Sequence, residues 1–186
     1  MNGVLRSHGV TLVELLIVVS ILGVVALVAI PNLSSGDAKR LDAATAEVVA
    51  AVRYARSESL RTGQIHGIQI SQATQRVVVY KADLATDPVG IAAILTHPVD
   101  KKPYDFDFDT AAMMTGVSIS NDDDPFVYFV AGRRKNLLFD ASGKPVWVVA
   151  GSDTTWPLQE GMIQLDYNSQ RRVVRVATLS GRVSVE

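Results

Sequence analysis

The apolar run from Val10 to Ile30 constrains this chain more than any other stretch, because it carries an acid, Glu14, near its start and only Ser20 as a strongly polar side chain after that. As an α-helix the run would rise roughly 31 Å, close to the ~30 Å hydrocarbon thickness of a bilayer. It has the length to span a membrane. An ionised carboxylate inside such a span costs about 2.5 to 3.5 kcal/mol on insertion scales, so Glu14 calls for a positive neighbour.

Hydropathy alone admits a secretory signal peptide or a simple one-pass anchor, with Arg6 as a thin positive flank and small residues at Val24 and Ala26 that allow cleavage after Ala26. Against the signal peptide, the run exceeds the ~7 to 15 residues of a signal core, and Glu14 has no purpose in one. Pro31 and Asn32 interrupt the run, followed by Ser34, Ser35, Gly36 and Asp37. The proline either ends the helix at the membrane surface or kinks it, and Asp37 is a candidate N-cap for the next helix.

Read as a motif, Gly9-Val10-Thr11-Leu12-Val13-Glu14-Leu15-Leu16-Ile17-Val18 resembles the prepilin cleavage and methylation motif of type IV pilins and type II secretion pseudopilins. Val10 and Val13 depart from the family's usual Phe or Met and Ile, and both stay apolar. The resemblance implies a cut between Gly9 and Val10 by a prepilin peptidase, methylation of the new amino terminus, and a helix that stays on the mature protein. It makes Glu14 the acid four residues beyond that terminus. An amine on a neighbouring subunit would neutralise Glu14 as helices stack, and a pair desolvated together is cheaper than either charge alone. The family also has a proline where Pro31 stands.

At 186 residues and 48% apolar content, the chain suffices for one membrane helix and one globular domain. A formal charge of −1 offers no broad field for nucleic acid or anionic lipid, and the absence of cysteine excludes disulfides and thiolate metal sites.

Residues 38–61 read as an amphipathic helix, with Leu41, Ala44, Val48, Ala51, Val52 and Ala55 on one face and Gly63 as its stop. The stretch Arg53 to Arg61 resembles the subfamily of minor pseudopilin H and related minor pilins. Beyond Gly63 the period becomes alternating. Ile65 to Ile70 and Arg76 to Lys81 flank a polar turn and form a hairpin signal. Further strands are expected at Ile91–Thr96, Val117–Ser120, Phe126–Ala131, Asn136–Phe139, Val146–Val149, Met162–Tyr167, Val173–Thr178 and Arg182–Val185. Phe139 to Gly143 reads as a strand with a tight turn and also resembles the subfamily. The expected fold is α+β: a long N-terminal helix, half membrane-embedded and half amphipathic, packed on an antiparallel sheet or β-sandwich head. Its divisions are a leader at 1–9, a membrane and assembly helix at 10–30, a kink and amphipathic helix at 31–62, and the head at 63–186.

Candidate chemistry is sparse. Asn121 to Asp124 could hold calcium, but consecutive aspartates point in different directions and a solvated loop is the simpler reading. Asp105, Asp107 and Asp109 alternate with Phe106 and Phe108, as on an edge strand with one wet face. His8, His66 and His97 stand apart, so no metal and no cofactor are expected, and no nucleophile or phosphate-loop motif indicates an enzyme. Arg171, Arg172, Arg175 and Arg182 form a basic C-terminal region, a candidate nucleic-acid contact. The Gly181-Arg182 pair resembles a Gly-Arg element of DNA-uptake minor pilins, with Ser184 where a second basic residue is expected.

Taken together, the resemblance implies a non-catalytic minor pseudopilin or minor pilin in the bacterial inner membrane, its head in the periplasm, later incorporated into a short filament. Its partners would be other pseudopilins or minor pilins, the prepilin peptidase, an inner-membrane assembly platform and secreted cargo. The alternatives are a DNA-binding minor pilin of an uptake machine and a conventional secreted or anchored protein.

Overall fold

The computed structural model describes residues 11–120 and 124–186, with the side chains of 26–35 and 37 outside the description. One helix, α1 (Leu12–Thr62), precedes twelve strands: β1 (His66–Ser71), β2 (Arg76–Asp83), β3 (Gly90–Ile94), β4 (Asp105–Asp107), β5 (Ser118–Ile119), β6 (Phe126–Tyr128), β7 (Gly132–Arg134), β8 (Asn136–Phe139), β9 (Pro145–Val148), β10 (Thr155–Tyr167), β11 (Gln170–Val176) and β12 (Val183–Val185). The fold is α+β, and contacts divide the chain into two compact units between Asp37 and Ala38.

In the first unit the helix starts at Leu12 because Thr11 caps it. The Glu14 N–H donates to Thr11 Oγ1 at 3.2 Å, and the Leu15 N–H donates to the Thr11 carbonyl at 3.2 Å. A threonine cap with an acid three residues on is a capping pattern, and a carboxylate in the first turn also suits the helix dipole. From Thr11 to Val25 every residue is exposed, Leu12 at 81% and none of the large apolar side chains below 50%. Among the described residues no helix is long and apolar enough to cross a membrane. The expected span, Val10 to Ile30, lies partly outside them.

Two local expectations are corrected. Pro31 does not end the helix, and Asp37 lies inside it rather than at an N-cap. The physical reason is that proline's fixed φ is itself helical, and its missing N–H removes a single bond from the ladder.

In the second unit the helical period holds as read. Leu41, Ala44, Val48, Ala51, Val52 and Ala55 are all fully buried, and the helix stops at Gly63, whose φ is +68°. The small residues on this face let the sheet approach closely. They share one core with Ile68, Ile70, Val77, Val79, Leu137 and Phe139 from the strands. Ser59 Oγ ties the two layers, donating to the Phe139 carbonyl at 3.0 Å.

The sheet is antiparallel, in the order β12-β11-β10-β9-β8-β1-β2-β3, with β4 on β2, β5 and β6 on β10, and β7 on β6. The β1–β2 hairpin forms as expected, Ile68 opposite Val79 and Ile70 opposite Val77. Strand β4 is the expected short edge strand, although Asp109 falls in the turn after it.

The largest departure is β10. Its expected part, Met162–Tyr167, is only the second half of a 13-residue strand that pairs first with β9, then β6, then β11, shifting register between Leu158 and Glu160. Pro157 and Gly161 conceal the first half from a sequence reading, since both are poor strand residues. Pro157 is tolerated because its carbonyl accepts from the Phe129 N–H at 3.0 Å and no donor is asked of it.

Candidate assembly site

Of the residues expected to matter in processing, Gly9 and Val10 lie outside the described residues. Glu14 is exposed on the first turn of a helix whose surface to Val25 is otherwise apolar but for Ser20, and no cation stands beside its carboxylate among the described residues. A helix apolar all round belongs in a membrane or among other helices. Pro31 lies in the helix interior, its side chain outside the description. Chemically, the segment offers exposed apolar surface and one carboxylate.

Three stretches singled out in the sequence meet in the head. Arg56 on α1 donates from Nε to the Gly143 carbonyl at 3.0 Å. Gly143 is buried with φ +72°, and a Cβ there would meet Leu60 Cγ at 3.1 Å. Gly181 is buried with φ +64°, and a Cβ there would meet the Gly143 carbonyl oxygen at 2.9 Å. The β8–β9 turn that presents Gly143 is organised by Asp140, whose Oδ1 accepts from the Ser142 N–H at 2.8 Å, the Ser142 hydroxyl at 2.7 Å and the Lys144 N–H at 2.9 Å. This junction accounts for these residues by packing: helix, turn and C-terminal loop approach so closely that Gly181 has no room for a side chain, and a Cβ at Gly143 would press on Leu60 and Arg56.

On β11 Arg171 and Arg175 share one face, as alternation predicts, and Arg172 lies on the other. Val174 and Val176 are buried, so Arg171 and Arg175 point to the opposite, solvent face, whereas Arg172 shares the valines' side and reaches Asp42 on α1 at 3.2 Å. Arg171 pairs with Asp166 at 2.7 Å and Arg175 with Glu186 at 2.8 Å. The guanidinium of Arg171 holds the Asp166 carboxyl below the usual carboxylate range. Three of the four positive charges therefore have carboxylates beside them. Arg182 is exposed and has no carboxylate beside it among the described residues.

The remaining candidates are structural. Asn121 to Asp123 lie outside the described residues, and Asp124 is half-buried. Asp105 is paired with Arg76 across β2 and β4. His66 is buried, its Nδ1 3.0 Å from the Gln64 carbonyl oxygen, and burial pushes its pKa down. His97 sits between Asp100 at 3.0 Å and Glu47 at 3.8 Å, edge-on to Tyr104 at 4.4 Å between ring centroids. This clamp of a loop onto α1 escaped the sequence reading because its members come from distant positions. Among the described residues no three His, Asp or Glu side chains converge as a metal site.

Residues 5–30 match the profile of the prokaryotic N-terminal methylation motif. In structure the chain is similar to the type IV minor pilin FimU of Pseudomonas aeruginosa, strain PAO1, at 19% identity over 78% of this chain and 87% of that one, with a TM-score of 0.43. No curated protein matches it. The chain thus sets an N-terminal methylation motif ahead of an α+β head.

Proposed function

We propose that the chain is a minor pseudopilin or minor pilin, a non-catalytic structural subunit of a type II secretion pseudopilus or type IV pilus-like filament. It is held by its N-terminal helix in the bacterial inner membrane with the head on the periplasmic side, and it acts in filament initiation or at the tip. The observation that carries this reading is the methylation motif at residues 5–30. The motif supplies a cleavage point between Gly9 and Val10, and leaves an exposed apolar helix that requires burial. Glu14 then meets the new amine of a neighbouring subunit, and the leader, membrane helix and head divide near residues 9, 30 and 62. The prepilin peptidase, the assembly platform and other minor subunits are its partners. The pairing of Arg171, Arg172 and Arg175 with carboxylates gives the nucleic-acid reading no comparable support.

The test is the mature amino terminus. Mass spectrometry of the membrane-extracted protein should find N-methylated Val10. A start near Leu27 would identify an ordinary signal peptide and end this proposal.

A further inference from the structure

Strands β1 and β2 turn Ile68, Ile70, Val77 and Val79 toward α1, so Gln69 and Val78, which alternate with them, face the other way. Two cavities, of about 630 and 250 Å³, adjoin on that outer face and share Gln69, Ile91 and Lys135 in their walls. From this arrangement we infer a docking groove for an extended, acidic and apolar segment of a partner protein.

The apolar wall is β3. Ile91 and Ile94 are 40% and 41% exposed, and the strand Gly90-Ile91-Ala92-Ala93-Ile94 holds no charge and no proline. Among the described strands it pairs with β2 alone. Sheet edges are ordinarily guarded by lysine, proline or a covering element, and this one has none of the first two.

The floor holds an incompletely used amide. Asn136 is only 5% exposed and lines the larger cavity. Its Oδ1 accepts from Gln69 Nε2 at 3.1 Å, and among the described residues nothing meets its Nδ2. That end is not sealed in the core but opens on the cavity, where it can donate to an acceptor seated there. A peptide carbonyl is such an acceptor, and an extended chain offers carbonyls in sequence with side chains alternating to either side.

Charge decides which segment. Lys135 lines both cavities, is exposed, and has no carboxylate beside it among the described residues. Arg133 and Arg134 join Lys135 opposite Asp87 and Asp124 in the larger cavity, and the smaller one is lined by Arg76 and Lys135 with no carboxylate, so cations outnumber carboxylates along the groove. A segment seated here places a carboxylate at Lys135 and apolar side chains on Ile91 and Ile94. The uncharged strand β3, with Ile91 and Ile94 exposed, suits an extended peptide rather than nucleic acid, which offers no strand to lie along it. The inference is independent of the filament role.

The full-length chain in detergent micelles is titrated by fluorescence anisotropy with labelled eight-residue probes, one alternating valine and glutamate, the other valine and lysine. The glutamate probe should bind about tenfold more tightly, as expected for a charge-assisted contact. Lys135→Glu should abolish that preference, and Ile94→Asp should weaken the glutamate probe about tenfold. Both positions are exposed, and an unchanged unfolding midpoint verifies each variant's fold. No binding of the glutamate probe, equal binding of the two probes, or indifference to both substitutions overturns the proposal. So does self-association that Lys135→Glu disperses, since the occupant would then be a second copy.

Discussion

Replacing Gly181 with alanine tests whether the C-terminal loop is held by close approach rather than by chain flexibility. Gly181 has φ +64°, and a Cβ there would stand 2.9 Å from the Gly143 carbonyl oxygen, 2.9 Å from Phe139 Cε1 and 3.2 Å from Arg56 Cδ. A left-handed backbone costs a residue bearing a Cβ about 1–2 kcal/mol. Contacts inside 3.0 Å with backbone must be relieved by movement, and overpacking of this kind costs about 1–3 kcal/mol. The sum is about 2–5 kcal/mol, a large share of the 5–15 kcal/mol by which domains are ordinarily stable. Gly151 supplies the control, since its φ is +68° and nothing lies within 4 Å of its Cβ position. Gly151→Ala carries the backbone cost alone, and any entropy gained by losing a glycine from the unfolded chain is common to both variants. At roughly 2–4 °C per kcal/mol for a domain of this size, Gly181→Ala should unfold about 2–12 °C below Gly151→Ala. The assay is thermal unfolding of the full-length chain in detergent, followed by near-ultraviolet circular dichroism of Trp147 and Trp156. Equal midpoints for the two variants would refute the packing argument.

Four further outcomes are expected. Leu41→Ala, at a fully buried position on α1, should cost about 2–5 kcal/mol in urea unfolding, whereas Leu179→Ala, at a position 81% exposed, should stay within about 0.5 kcal/mol of the parent. Asp140→Ala removes the acceptor that organises the β8–β9 turn and should destabilise by about 1–2 kcal/mol, with Asp140→Asn recovering part of the loss. The Asp166 carboxyl is held down by its hydrogen bond from Arg171, and that of Glu58 by its hydrogen bond from Arg61. Their contributions are therefore complete above the unfolded carboxylate range, about 3.9–4.3, and are lost as pH falls through the lower folded values. Stability measured from pH 6 downward should fall below about pH 5, less steeply in Arg171→Ala, and superimposable profiles would disprove the Asp166 part. Finally, Glu14→Ala should leave membrane insertion intact and impair co-assembly with partner subunits, so normal incorporation would remove the carboxylate–amine pairing.

The sequence alone determined the features that depend on near neighbours. A 3.6-residue period located the buried face of α1 from Leu41 to Ala55, alternation located the β1–β2 hairpin, and the residues around Gly9 and Glu14 identified the methylation motif. Each needs only a short window to be legible, and the Thr11–Glu14 cap could have been read in the same way. Tertiary structure decided what depends on partners far along the chain. It extended β10 through Pro157 and Gly161, because three different neighbours satisfy its successive parts. It formed β7, too short to carry a period, by pairing Gly132–Arg134 with β6. It turned Arg172 toward Asp42 while Arg171 faced solvent, and it brought Arg56, Gly143 and Gly181 into one contact. Local propensity is a weak preference of a few tenths of a kcal/mol per residue, whereas burial, pairing and close approach are settled only when distant segments meet.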